Sequence, residues 1–301
     1  MPPPEPVPAR RRDQVRDAAV RTLYRLGWRV AARVPAPAVR AGIALGSRVA
    51  LRFEGRHLQT LRRNLSLATG QAVDDRVVRA GVASYLRTFW EVLALPGWDA
   101  DEPLRRVRTV DEHHLRDAFA GAGAVVALPH SGNWDLAGAW ACRTGMPVTT
   151  VAEQLSDAEF AAFVSFRRAL GMEVLSHRAP GAIPALAAAV RGGRLVCLMA
   201  DRDLDGHGLP VRWRDRPVTL PGGPAVVARR TGAALIPAVC SYERDQMVIT
   251  FAPPVPHRPG REGLVAMTQQ VADFFARQIA EHPQDWHLLQ HFFPDEPGGA
   301  S

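Results

Sequence analysis

Between residue 106 and the C-terminal region, short apolar segments of strand length alternate with segments that repeat apolar residues every three or four positions. Candidate strands are Val107–Val110, Ala124–Leu128, Val148–Ala152, Glu173–Leu175, Leu195–Met199, Leu235–Val239 and Val248–Phe251. Candidate helices lie near 112–119, 133–144, 157–170, 182–191, 222–232 and 263–281. This alternation predicts an α/β fold with a central, mostly parallel sheet flanked by helices, and residues 209–220 predict a hairpin over the sheet edge.

The N-terminal third of the chain carries arginine-rich amphipathic stretches at 15–30, 37–68 and 74–95. No apolar run reaches the length of a membrane-spanning helix. We expect a disordered tail at 1–13, an N-terminal helical, membrane-facing region at 14–98, an α/β core at 99–295 and a second tail at 296–301. These helices can bury their apolar faces on the core. The arginines around Leu23, Leu26 and Trp28 also suit reversible contact with an anionic bilayer.

The basic residues are all arginine, and the formal net charge is +7. A genome that favours arginine codons explains this composition, and so does a positive surface for phosphate groups. Because the arginines are spread along the chain and no nucleic-acid motif is present, we expect no nucleic-acid partner. The three cysteines have no metal-ligand spacing, so we read them as thiols of a reducing compartment and predict no metal site.

The hexapeptide from His130 to Asp135 follows a candidate buried strand and opens a candidate helix. In α/β proteins, catalytic groups often lie at such strand-to-helix junctions. An imidazole there can take a proton from an alcohol near neutral pH, and a nearby carboxylate can fix its tautomer. Asn133 or Asp135 could instead cap the helix.

Other charged residues also follow candidate strands and would meet at the same edge of a parallel sheet. Glu153 comes directly after one strand, and Asp201 and Arg202 come after another. Arg167 and Arg168 close a helix, where they either complement the helix dipole or grip a phosphate. Asp201 competes with Asp135 as the partner of His130, and the spacing leaves both open. Trp286 and His287 are expected to pack against the body of the protein.

The motifs His130-Ser-Gly-Asn-Trp-Asp135, Val151-Ala-Glu-Gln-Leu155, Phe166-Arg-Arg-Ala-Leu-Gly171, Ala200-Asp-Arg-Asp-Leu204 and Trp286-His-Leu-Leu-Gln290 occur in this order. In this the chain resembles the lysophospholipid acyltransferase superfamily, and within it the lipid A biosynthesis branch. The segment Ser84–Pro96 looks most like actinobacterial phosphatidylinositol mannoside acyltransferases.

The resemblance implies transfer of an acyl group from acyl-CoA to a sugar hydroxyl of a membrane glycolipid, with no other cofactor. It implies a peripheral protein on the cytoplasmic face of the plasma membrane, in contact with anionic inner-leaflet lipids, and a hydrophobic tunnel for the acyl chain. His130 then corresponds to the general base and Asp135 to the motif acid. Glu153 and Arg168 match an acceptor-binding motif. Asp201 and Arg202 match a motif in which the superfamily often carries Glu-Gly.

An acyl thioester is already activated, so we expect direct transfer without an acyl-enzyme. The backbone amides of Gly132 and Asn133, at a helix start, are candidates for stabilising the oxyanion. A serine hydrolase that uses Ser131 is the alternative. Its nucleophile elbow would require Gly on both sides, at positions that Pro129 and Asn133 occupy here.

Overall fold

The computed structural model describes residues 30–53, 55–153, 164–177, 181–203 and 206–294. Its helices are α1 (Ala36–Arg52), α2 (Arg56–Thr69), α3 (Asp75–Ala94), α4 (Glu102–Arg106), α5 (His113–Ala120), α6 (Trp134–Arg143), α7 (Ala182–Arg191), α8 (Gly223–Thr231) and α9 (Gly260–Glu281), with residues 164–169 also helical. Its strands are β1 (Val107–Val110), β2 (Ala124–Leu128), β3 (Val148–Ala152), β4 (Glu173–Ser176), β5 (Leu195–Met199), β6 (Leu209–Trp213), β7 (Arg216–Leu220), β8 (Ala234–Glu243) and β9 (Gln246–Phe251). The predicted tails at 1–13 and 296–301, nearly all of the first predicted helix and the start of the helix near 157–170 lie outside the described residues.

The large sheet has seven strands in the order β1-β9-β8-β2-β5-β3-β4. Every neighbouring pair is parallel except β8 and β9, which form an antiparallel hairpin. The predicted α/β fold with a mostly parallel sheet flanked by helices is therefore confirmed. Because β8, β2, β5, β3 and β4 run in one direction, the residues that follow β2, β3 and β5 meet at one edge of the sheet.

An apolar core covers each face of the sheet. Strand β2 is buried throughout, as expected for a central parallel strand. Its alternate residues separate between the two cores: Val125 and Ala127 face α7, α8 and α9, whereas Val126 and Leu128 face α5 and α6. The sheet is therefore packed on both faces, and the residues that follow β2 are attached to a rigid strand.

Of the N-terminal helices, α3 packs against α6 and the turn at Pro283–Asp285, beside these loops, while α1 packs on α3 and α2 packs on α9. The region predicted at 37–68 forms two helices, because Phe53 and Gly55 both leave helical geometry. Asp74 caps α3 by accepting a hydrogen bond from the N–H of Val77 at 3.0 Å. No helix within the described ranges is long and apolar enough to cross a membrane.

The predicted hairpin is present as β6 and β7, which pair with each other in a separate two-stranded sheet. It lies against α9. Trp213 at the end of β6 is fully buried and stacks on Trp286, with ring centroids 5.5 Å apart and planes 13° from parallel. The hairpin thus holds the segment that follows α9 in place.

Candidate active site

His130 and Asp201 form a close pair at the edge of the sheet. The Nδ1 atom of His130 lies 2.6 Å from Oδ1 of Asp201, and the backbone N–H of His130 donates to Oδ2 at 2.8 Å. The two residues follow β2 and β5, which are neighbours in the sheet. The side chain of His130 is 21% exposed, whereas that of Asp201 is fully buried. The imidazole is therefore reachable from outside while its partner is not.

Asp201 has a third hydrogen bond, from the indole N–H of Trp286 to Oδ2 at 2.9 Å. Burial opposes ionisation of Asp201. The charge of His130 and the hydrogen bonds from His130 and Trp286 outweigh it, so the pKa of Asp201 lies below its usual value. An ionised carboxylate only accepts hydrogen bonds, so Nδ1 of His130 carries the proton in this pair. Nε2 is then the ring nitrogen able to accept a proton from a substrate.

Asp135 pairs with Arg167 and not with His130. Nε of Arg167 donates to Oδ1 of Asp135 at 2.6 Å, and Nη2 donates to Oδ2 at 3.3 Å. Asp135 lies in the first turn of α6 and is almost completely buried. The sequence spacing left two candidate partners for His130. In the structure, Asp201 is the carboxylate that bonds its ring. The motif acid Asp135 instead ties α6 to the helix that ends near residue 169.

Glu153 and Arg202 face each other across the same edge, with Nη1 of Arg202 3.4 Å from Oε2 of Glu153. Both side chains are partly exposed, so they remain accessible to a ligand. Arg168 is exposed at the end of its helix, and its neighbour Arg167 is the arginine that turns inward. The family resemblance singled out Arg168 of the two adjacent arginines, whereas Arg167 is the one that bonds a buried carboxylate.

The expectation that the amide of Gly132 faces an oxyanion is wrong. That N–H donates to the backbone carbonyl of Asp285 at 2.9 Å, which removes it from the site. Gly132 has a positive φ of 58°, and a Cβ there would lie 2.7 Å from the Cβ of Cys240. Glycine is therefore required for backbone shape and close packing.

Asn133 serves as the cap of α6. Its Oδ1 accepts from the N–H of Leu136 at 3.0 Å, and its Nδ2 donates to the buried Glu91 at 3.1 Å. The residue is fully buried, so its side chain holds the helix in place and is not available to a substrate. The capping role that the sequence offered for the side chain is observed, and the role of the backbone amide of Asn133 as an oxyanion donor stays a prediction.

Ser131 is buried, and its hydroxyl donates to the carbonyl of Cys240 at 2.7 Å. The ring of His130 bonds Asp201 through Nδ1, whereas Ser131 contacts Cys240 through its hydroxyl and pairs with Trp286 through its backbone. A serine nucleophile needs a hydroxyl that is exposed and bonded to its base. This geometry does not support the alternative of a serine hydrolase.

Glu91 on α3 is a buried carboxylate that the sequence analysis did not single out. It accepts from Arg87 at 2.9 Å, from the hydroxyl of Tyr242 at 2.6 Å and from Asn133. Burial and the charge of Glu91 raise the pKa of Tyr242 well above its usual value, so Tyr242 stays a donor. Glu91 thus joins α3, β8 and the loop after His130. The feature of the sequence that could have pointed to Glu91 is its place in the Ser84–Pro96 segment, which carries part of the family resemblance.

An apolar crevice lies between α6 and the sheet, beside the site. Trp134, Met172, Met199, Cys197 and Phe251 are among its lining residues. It encloses about 60 Å³, space for about two water molecules at their share of liquid volume. The resemblance implied a hydrophobic tunnel without giving its position, and the open volume of this crevice is far smaller than a fatty acyl chain.

Comparison with known proteins identifies the family. The sequence pattern of the bacterial lipid A biosynthesis acyltransferases matches residues 10–294. A phosphatidylinositol mannoside acyltransferase of Mycolicibacterium smegmatis is 40% identical over 276 residues, covering 89% of each chain. The protein of the same name from Mycobacterium tuberculosis (strain CDC 1551 / Oshkosh) is 39% identical over 290 residues, covering 93% of this chain and 90% of its own length. The chain belongs to the bacterial lipid A biosynthesis acyltransferase family.

Proposed function

We propose that this acyltransferase moves a fatty acyl group from acyl-CoA to a hydroxyl of a membrane glycolipid, with the mannose of a phosphatidylinositol mannoside as the acceptor. The observation that carries the proposal is the pair of His130 and Asp201. It combines a partly exposed imidazole with a buried carboxylate, 2.6 Å apart, at the loop edge of the sheet. The names of the mycobacterial relatives supply the acceptor class.

In the proposed reaction, Nε2 of His130 removes the proton from the acceptor hydroxyl as its oxygen attacks the thioester carbonyl carbon. A new ester C–O bond forms, and the C–S bond of the thioester breaks. The thiolate of CoA leaves and takes a proton, which returns His130 to its neutral state. Asp201 stabilises the imidazolium that exists between these steps. No covalent bond to the protein is formed.

The apolar crevice between α6 and the sheet is our assignment for the start of the acyl chain. Its walls include Met172 and Met199, whose unbranched side chains can change rotamer to make room. Glu153 and Arg202 follow β3 and β5 at the same edge of the sheet, where charged groups suit a polar acceptor or the phosphates of CoA. Another glycolipid or a lysophospholipid would also present an alcohol near a phosphate, so these are the competing acceptors.

We further propose that the protein works at the cytoplasmic face of the plasma membrane and binds anionic lipids there. Leu45, Val49 and Phe53 are 62%, 45% and 76% exposed. They are spaced four residues apart, so they share one side of α1. Such an exposed apolar stripe is costly in water and suits the interface of a bilayer.

Exposed arginines lie on another side of α1 and on α3. Arg48 on α1 and Arg76 and Arg79 on α3 line an open cavity of about 780 Å³. Within the described residues no ion pair or hydrogen bond takes up any of these three guanidinium groups. They are therefore available to lipid phosphates, which supports a basic, apolar contact with anionic lipids.

The experiment that tests the proposal uses the purified full chain with an acyl-CoA and three separate acceptors: phosphatidylinositol mannoside, a lysophospholipid and a lipid A precursor. Mass spectrometry of the lipids should show one acyl group added to a mannose for each CoA released. Fatty acid release without any acceptor would instead indicate a hydrolase. Transfer only to the lysophospholipid would reject the glycolipid acceptor, and transfer only from an acyl carrier protein would reject the donor.

A further inference from the structure

The indole of Trp286 completes the set of donors around Asp201. Oδ1 of Asp201 accepts from the ring of His130, whereas Oδ2 accepts from the backbone N–H of His130 and from Nε1 of Trp286. Asp201 has no contact with solvent, so these donors replace water around its charge. Loss of one donor around a buried carboxylate has a larger effect than the same loss at the surface.

Trp286 is held rigidly in this position. Its ring stacks on Trp213, and the ring of Phe292 is perpendicular to it, with the two centroids 5.1 Å apart. The backbone of the same segment bridges the motif loop: Ser131 pairs with Trp286, and the N–H of His287 donates to the carbonyl of His130 at 2.8 Å. The indole N–H therefore cannot turn away from Asp201 without breaking several contacts.

We propose that Trp286 is a positioning residue for acyl transfer, whose indole N–H holds the Asp201 carboxylate in the orientation that His130 needs and moderates its attraction for the imidazolium. The effect on rate rests on the proposed function, whereas the effect on protonation of His130 does not. Without the indole donor, the negative charge of Asp201 is less dispersed. The imidazolium is then favoured over the neutral imidazole, and less free base is present at a given pH.

Trp213 provides a matched control for this role. It is buried in the same aromatic stack, and its Nε1 has no hydrogen-bond partner within the described part of the chain. Trp213→Phe and Trp286→Phe therefore remove the same amount of ring from one cluster, but only Trp286→Phe removes a donor from Asp201. A purely structural role for Trp286 predicts similar consequences for both variants.

Other ionisable groups around the pair are unchanged in both variants. They are His287 and Asp285 on the C-terminal segment, Arg202 and Glu153 beyond β5 and β3, Asp135 and Arg167 beside α6, and Glu91 on α3. A difference in pH dependence between the two tryptophan variants is therefore assigned to the lost donor.

The first test compares the rates of both full-length variants across pH. Trp286→Phe should lower kcat about tenfold with little change in KM, because the Asp201 carboxylate is no longer held in the orientation that His130 needs; the loss of a hydrogen bond to a charged group is of that size. The pH at which the rate falls to half on the acid side of its profile should be higher by about 0.5 to 1 pH unit. Trp213→Phe should keep the acid limb of the natural protein even where its thermal stability falls. Identical profiles for all three proteins would overturn the proposal.

The second test does not depend on catalysis. An NMR titration of the imidazole of His130 should give a midpoint at higher pH in Trp286→Phe and an unchanged midpoint in Trp213→Phe. This result stands even if no acyl transfer is found, so the two proposals can fail separately. If Trp286→Phe does not fold, the indole N–H resonance of Trp286 in the natural protein should shift with the same midpoint as His130. An indole N–H chemical shift that stays constant while the imidazole of His130 titrates would overturn the proposal.

Discussion

Asp201 and Asp135 are both buried carboxylates near His130, but they have different partners. Asp201 holds the imidazole at 2.6 Å, and Asp135 holds the guanidinium of Arg167 at the same distance. The first interaction can change the protonation of a base, because it bonds the ring that would take the proton. The second joins two elements of the fold and leaves the imidazole untouched.

Asp201→Asn should therefore reduce the rate of acyl transfer more than Asp135→Asn. An amide at position 201 cannot stabilise the imidazolium and can favour the wrong tautomer of His130, so we expect a loss of about a hundredfold or more. Asp135→Asn removes the buried carboxylate that pairs with Arg167 and should mainly lower the melting temperature. Initial rates and thermal denaturation of both variants test this ranking. A larger rate loss in Asp135→Asn would transfer the catalytic role to Asp135.

The sequence was sufficient to select the residues of this site but not to pair them. His130, Asp201, Glu153 and Arg202 could be found because each follows a strand of a parallel sheet. The partner of His130 could not be chosen, because Asp201 is 71 residues away and the direction of a helical side chain is set by packing. Trp286 was expected only to pack. Its indole N–H became relevant once the chain after α9 was seen to return to the loop of His130.

At the scale of elements, hydrophobic periodicity predicted the strands and most helices to within a few residues. The burial of β2 on both faces is the reason, since a continuous apolar run of strand length fits little else. The strand order was not predictable: β8 and β9 form a hairpin, which places β1 and β9 antiparallel to the other five strands. Short α4 was also missed, because five residues are too few for a periodic pattern.

Helix α1 is the element whose exposed face is unexplained by packing. The variant Arg48→Gln, Arg76→Gln, Arg79→Gln removes three exposed positive charges from α1 and α3, the helices that we propose contact the bilayer. Each basic residue near an anionic bilayer contributes on the order of 1 kcal/mol, so binding to phosphatidylglycerol vesicles should weaken roughly 100-fold. Cosedimentation at several salt concentrations measures this, and phosphatidylcholine vesicles should bind weakly throughout.

The matched control removes three exposed arginines from other helices, at Arg191, Arg230 and Arg277. It has the same net charge as the first variant, so it reports any general electrostatic effect. Equal loss of vesicle binding in the two variants would show that α1 and α3 do not form a specific membrane-contacting surface.

At the scale of the whole molecule, His287 links the C-terminal segment to α3. It is buried, and its Nε2 lies 2.9 Å from Oγ of Ser84. Burial, aided by the charge of His130, lowers the pKa of His287 to about 3. Because the unfolded chain binds this proton more readily, the stability that neutral His287 permits is fully present above pH 6.5 and is lost as the pH falls toward 3.

The free energy of unfolding should therefore fall by up to about 1.4 kcal/mol per pH unit below pH 6.5 through this single group. His287→Gln retains a donor for Ser84 but does not titrate, so its stability should depend less on pH in this window. The exposed His57→Gln serves as the control. Urea denaturation from pH 7 to pH 4 gives the slopes. Equal slopes for His287→Gln and the natural protein would show that His287 is not the buried group responsible.

The central claim is that the imidazole of His130 is the base for acyl transfer, and its most direct measurement is the transfer rate of His130→Ala. A general base contributes about a hundred- to ten-thousand-fold, so the variant should lose at least about 99% of the rate while its circular dichroism and melting temperature stay close to those of the natural protein. Ser131→Ala should retain most of the rate, since the hydroxyl of Ser131 is occupied by the carbonyl of Cys240. A folded His130→Ala variant that keeps more than about a tenth of the rate would contradict the account.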